Sequence, residues 1–246
     1  MQKPSYIPDH WILPDALRRR LGETVGKQRM IDEEGHILLL LHQVPREEDD
    51  EVRSAMVVWR DTAGDWKSSP NPGGLEGLEN YLSSYRTAIH ELDDAVESAK
   101  SAREYFGVMR KMHPLQRATR NMFETIQTVR RVLPEDTRII NVRDQAADLE
   151  RAIELVAADA KAGMDFTVAE SANQQAISAE VANQEARRLN RLAAFFFPLA
   201  TLVAVFGMNP PESICQSSGF WAVLAAGIVL GFVVNGLVAL GTRKKG

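Results

Sequence analysis

Apolar and polar positions change rhythm several times along the chain. His36 to Val44, HILLLLHQV, and Ala55 to Arg60, AMVVWR, are short apolar runs around an acidic loop. They predict two strands, with Gly64-Asp65-Trp66 turning the chain after them. A helical rhythm follows and predicts one helix from about Leu75 to Met112 and another from Leu115 to Leu133, separated by Pro114. From Thr137 to Met208 the helical pattern is broken only by Pro198 and softened by Gly163. Asp136 is its N-cap, with Pro134 just ahead. At about 1.5 Å per residue such a rod is of order 100 Å long and requires partners.

The two halves of this rod differ. Val142, Ala146, Leu149, Ile153, Val156, Ala160 and Gly163 form an apolar seam spaced alternately four and three, suited to packing on the preceding domain or on neighbouring copies. The spacing then continues on small and neutral residues: Ala169, Ala172, Ala176, Ala179, Asn183, Ala186, Asn190, Ala193, Phe197 and Ala204. Small side chains on one face allow close helix packing, and they also suit a narrow path enclosed by several identical helices. Glu170, Glu180 and Glu185 lie off this stripe, so no ring of carboxylates is expected along it.

Two apolar runs close the sequence. Leu192 to Met208, LAAFFFPLATLVAVFGM, is interrupted by Pro198, and Phe220 to Gly241 has Asn235 as its only strongly polar residue. The second is long enough to cross a hydrocarbon core of roughly 30 Å. Two such runs around a loop of about ten residues predict a membrane hairpin. Arg187, Arg188 and Arg191 precede the first run, and Arg243, Lys244 and Lys245 follow the second, whereas the loop carries only Glu212. The positive-inside bias therefore places both ends in the cytoplasm. Gly227 and Gly231 form a small-xxx-small pair that would let a helix approach closely, although glycine is also simply common in membrane helices. Average composition hides all of this: 25% charged residues and a net charge of -4 describe about 190 polar residues mixed with an apolar tail.

Gly207-Met208-Asn209 stands at the junction of the first run and the loop, nine residues after Pro198-Leu199 begins. This ordered set, with its short loop, second span and basic tail, resembles the CorA family of divalent-cation channels over the last seventy residues. The resemblance implies an α+β cytosolic domain, a long stalk helix and a C-terminal two-helix membrane hairpin, assembled as a funnel-shaped homopentamer in the cytoplasmic (inner) membrane. Its parts would be a cytosolic domain at 1–135, a stalk at 136–191, a pore-lining first span at 192–209, an external loop at 210–219, a second span at 220–241 and a basic tail at 242–246. Gly207, Met208 and Asn209 would select the ion, with the Asn209 amide binding the incoming hydrated cation. Asn183, Ala186, Leu189, Ala193, Phe197, Ala200 and Ala204 would line the pore. Ala186 is small and Phe197 bulky for their family positions, which shifts the constriction towards Leu189 and Phe197. Asp148 falls where the family has an acidic residue of a regulatory Mg²⁺ site between subunits.

Implied partners are the chain itself, membrane lipid and divalent cations. Mg²⁺ is the transported ion, and no cofactor or nucleic-acid partner is expected. A related transporter of Zn²⁺, Co²⁺ or Ni²⁺ and a non-conducting coiled-coil scaffold remain as alternatives. Gly22 to Lys27, GETVGK, is one residue short of a phosphate-binding loop and follows a helical stretch rather than a strand. The run Arg46-Glu47-Glu48-Asp49-Asp50-Glu51 reads as a solvated loop. The five histidines lack zinc spacing and no nucleophile constellation is present, so no enzyme is expected.

Overall fold

The computed structural model describes residues 4–45, 54–208, 221–222, 225–229, 231–234 and 236. It comprises two compact units, residues 1–169 and 170–246. The acidic run at 46–51 is outside the described residues, as are the loop and basic tail of the sequence reading.

In the first unit, four strands form an antiparallel meander in the order β1 (Arg29–Glu33), β2 (His36–His42), β3 (Ala55–Arg60) and β4 (Trp66–Ser69). The first two join through Glu34 and Gly35, both at positive φ (51° and 76°), as a two-residue hairpin with the twist of its strands requires. Successive strand side chains point to opposite faces, and β2 is apolar without interruption because both of its faces are covered. Ile37, Leu39, Leu41, Met56 and Val58 enter the core formed with the helices. Leu38, Leu40, Val57 and Trp59 enter a second core with Ile7, Trp11, Leu13, Leu17, Leu21 and Val25, so the segment ahead of β1, including the short helix α1 (Asp15–Arg18), seals the other face. Trp11 and Trp59 meet there with ring centroids 5.8 Å apart.

Three helices follow: α2 (Leu75–Ser98), α3 (Ala102–Val132) and α4 (Thr137–Met208). The sequence expectation of a break at Pro114 is corrected here, because Pro114 lies inside α3 and the chain breaks at residues 99–101. Ser101 and Glu104 form a reciprocal capping box that satisfies backbone N–H groups at that break. Burial of Met112, Leu115, Ala118, Met122, Ile126 and Val129 on one side of α3 outweighs the single backbone hydrogen bond that Pro114 removes. The start of α4 is as the sequence indicates, with the Asp136 carboxylate accepting from the Arg138 and Ile139 N–H groups at 3.0 and 3.3 Å. Its apolar seam, Val142 through Ala160, is buried in the same core as α2 and α3. Gly163 lies where an added Cβ would come within 2.5 Å of the Tyr105 ring, which explains the glycine in an otherwise good helix.

Two buried tyrosines tie α2 to the end of β2. The Tyr81 and Tyr85 hydroxyls both donate to the His42 carbonyl, at 2.6 and 2.9 Å. Burial raises both phenol pKa values above the usual 10.0. A neutral phenol is favoured in the folded state, so this contribution is intact below pH 10.0 and is lost as rising pH ionises the unfolded chain first. Denaturant unfolding at about pH 8 and about pH 11 should show falling stability. Tyr81→Phe with Tyr85→Phe should lower stability at the neutral end, by about 1 kcal/mol per lost hydrogen bond, and flatten the alkaline fall.

Candidate functional site

The seven lining positions of the sequence reading, Asn183, Ala186, Leu189, Ala193, Phe197, Ala200 and Ala204, all lie on α4 in the second unit, and all are exposed. On a helix of 3.6 residues per turn they occupy an arc of about 120°. No ionisable side chain is among them. Leu189 and Phe197 project most, at 67% and 75% exposed. Gly207 and Met208 close α4, and Asn209 lies outside the described residues.

The other side of α4 is where the second apolar run packs. Its described residues are helical, and Gly227 and Gly231 are buried. A Cβ at Gly231 would meet the Phe195 carbonyl oxygen at 2.9 Å, and the Phe195 and Phe232 rings stand edge to face at 5.3 Å. Gly231 therefore serves close helix approach, one of the two readings open from sequence. Phe195 is about 160° round the helix from Phe197, so this contact leaves the neutral arc uncovered. Nothing in the sequence rhythm singled out Phe195; the glycine spacing signalled a close neighbour without naming it. Among the described residues no helix is long and apolar enough to cross a membrane. The first apolar run reaches the end of α4 after seventeen residues, and the second is described only in pieces.

Pro198 sits within α4 and cannot donate to the Ala194 carbonyl, so the backbone ladder has one bond fewer beside Phe197. The Thr201 hydroxyl donates to the Phe197 carbonyl at 2.9 Å in the following turn. Glu170 and Glu180 keep off the neutral arc: Gln174 bonds to Glu170 at 3.3 Å and Gln184 to Glu180 at 3.2 Å, both pairs on other faces.

Asp148 is far from this arc in sequence and sits in the first unit. Its carboxylate is 74% exposed, with Arg151 at 4.0 Å. Nearby, Glu150 lines a small groove with Gln116, Arg117, Arg120, Ile153 and Glu154. Burial, then the neighbouring Glu154, raises the Glu150 pKa. Arg117 and Arg120 come to that groove from α3, and Glu150 and Glu154 from α4. Among the described residues no group of three or more His, Cys, Asp or Glu could hold a metal ion.

Taken together, the fold defines a class: a small antiparallel sheet packed on long helices, the last of which continues into an apolar helical pair. No family model and no curated protein matches the sequence. Among solved structures, the full-length CmaX protein is similar over 94% of this chain and 83% of its own, at 13% identity and a TM-score of 0.56. The CorA magnesium transporter from Methanocaldococcus jannaschii aligns over 91% of this chain and 81% of its own, at 15% identity and a TM-score of 0.49. At 13% identity the likeness to CmaX is one of fold.

Proposed function

We propose that this chain is a divalent-cation channel of the CorA type, taking up Mg²⁺ across the cytoplasmic membrane as a homopentamer with both termini in the cytoplasm. The observation that carries the reading is the uncharged, uncovered arc of α4 from Asn183 to Ala204, opposite the Phe195–Gly231 contact, with Gly207-Met208-Asn209 following it in the sequence. One copy cannot enclose a path with such an arc, whereas symmetric copies bring their arcs to a common axis. Mg²⁺ sheds its waters reluctantly, so a neutral path suits an ion that keeps its hydration shell and is read through those waters. The Asn209 amide reads them at the outer mouth and the Asn183 amide at the inner end. Phe197 and Leu189 form dry constrictions between the two. Asp148 contributes a regulatory carboxylate that needs a second ligand from a neighbouring copy.

The test is cation uptake by the purified chain in liposomes, comparing Mg²⁺, Co²⁺ and Zn²⁺ with and without an imposed pH gradient. Mg²⁺ flux indifferent to the gradient is expected. Zn²⁺ flux that follows the gradient would make it a related transporter, and no flux at all in assembled protein would leave a scaffold. A monomeric mass in mild detergent with flux intact would refute the pentamer. Within this scheme Phe197→Ala should widen and wet the constriction. We expect higher Mg²⁺ flux and weaker inhibition by Mg²⁺ on the cytoplasmic side, with assembly preserved. Dissociation of that variant would make Phe197 an interface residue.

A further inference from the structure

Arg187, Arg188 and Arg191 occupy an arc of about 100° on α4, directly ahead of Leu192. All three are exposed, and among the described residues none has an ion-pair or hydrogen-bond partner. Of the carboxylates ahead of them on α4, Glu185 stands three residues before Arg188 without forming an ion pair among the described residues, and Glu180 is engaged by Gln184. The centre of the arginine arc is about 150° round the helix from the centre of the neutral arc, so the guanidinium groups stand away from the proposed path. Arg188, Leu192 and Phe196 follow at i, i+4 and i+8, which places a cation at the foot of an apolar ridge. That ridge is open, with Leu192 56% and Phe196 55% exposed.

We propose that this face binds anionic phospholipid, the arginines holding headgroup phosphate and the Leu192–Phe196 ridge lying along an acyl chain. The assignment rests on the reading that α4 enters a bilayer near Leu192. A guanidinium offers paired N–H donors to two oxygens of one phosphate, a fit that an ammonium lacks. Three unpaired guanidiniums where headgroups would lie gain attraction to an anionic surface without giving up an internal ion pair. Each is expected to strengthen anionic-lipid binding by about fivefold.

The experiment counts lipids retained by the full chain in neutral detergent, using native mass spectrometry during titration with phosphatidylglycerol or phosphatidylcholine. Wild-type protein should prefer phosphatidylglycerol by more than about tenfold. The triple variant R187Q/R188Q/R191Q should lose that preference while keeping its oligomeric mass and helicity. The variant R187K/R188K/R191K should keep only part of it, and L192S/F196S should weaken retention with all charges in place. Inorganic phosphate should not displace the lipid; displacement at millimolar phosphate would mean a soluble-anion site and overturn the assignment. So would equal retention of the two lipids by wild type, or an undiminished preference in the glutamine variant. Dissociation of the glutamine oligomer together with lipid loss would assign the arginines to carboxylates of a second copy. Lipid counts do not depend on conduction, so selective retention without ion flux would refute the channel reading alone. Flux without lipid preference would refute this assignment alone.

Discussion

Asn209→Ala is expected to abolish Mg²⁺ uptake, or reduce it by at least an order of magnitude, while the oligomer assembles normally. The methyl group cannot accept or donate hydrogen bonds to the waters of a hydrated ion, and the ion holds those waters too tightly to trade them for weak protein contacts. Because the substitution removes an amide and adds no bulk, its effect falls on selection rather than on packing. Liposome uptake and mass in detergent, measured on one preparation, separate the two. Wild-type uptake by the assembled variant would move selection away from Asn209.

Gly231→Leu should be nearly as severe by a different route. Even the first added carbon would come within 2.9 Å of the Phe195 carbonyl oxygen, and it would lie 3.2 Å from the Phe195 ring. A backbone oxygen cannot swing aside as a flexible side-chain end can, so the second helix must move out. Overpacking of this kind typically costs 1–3 kcal/mol, and the remaining leucine atoms add to the displacement. Contact between apolar helices depends on close approach through small residues, so separation rather than local adjustment is the expected outcome. Loss of assembled protein in detergent would be the readout, with Gly236→Leu as the control, since nothing lies within 4 Å of a Cβ there. Equal assembly of the two variants would remove Gly231 from the helix contact.

The parts of the fold that sequence made legible are those where one physical signal dominated. The span of α4, Thr137–Met208, follows from long periodicity with a carboxylate cap at Asp136. Strand β3 and most of β2 follow from uninterrupted apolar runs. Strands β1 and β4 were missed because RMIDE and WKSS are edge strands, each with one buried residue, Ile31 and Ser68. Pro114 does not break its helix, because apolar burial along α3 holds it, and the break falls instead at the capping signal Ser-Ala-Arg-Glu at 101–104. The neutral stripe was legible because small residues at regular spacing are visible in one chain. The side of α4 that the second helix occupies was not, since Phe195, Phe196 and Phe197 are identical in type and only packing tells them apart.

The covering of the second sheet face also sets an order of events during synthesis. The segment holding Trp11, Leu17 and Leu21 is made before its seat, which is complete only when Val57 and Trp59 have emerged. Translation of the intervening stretch, some 35 residues, takes roughly 2–7 s. For much of that interval the early segment has only Ile31, Leu38 and Leu40 of its seat to pack against. Until Val57 and Trp59 arrive, that segment is apolar surface open to a chaperone.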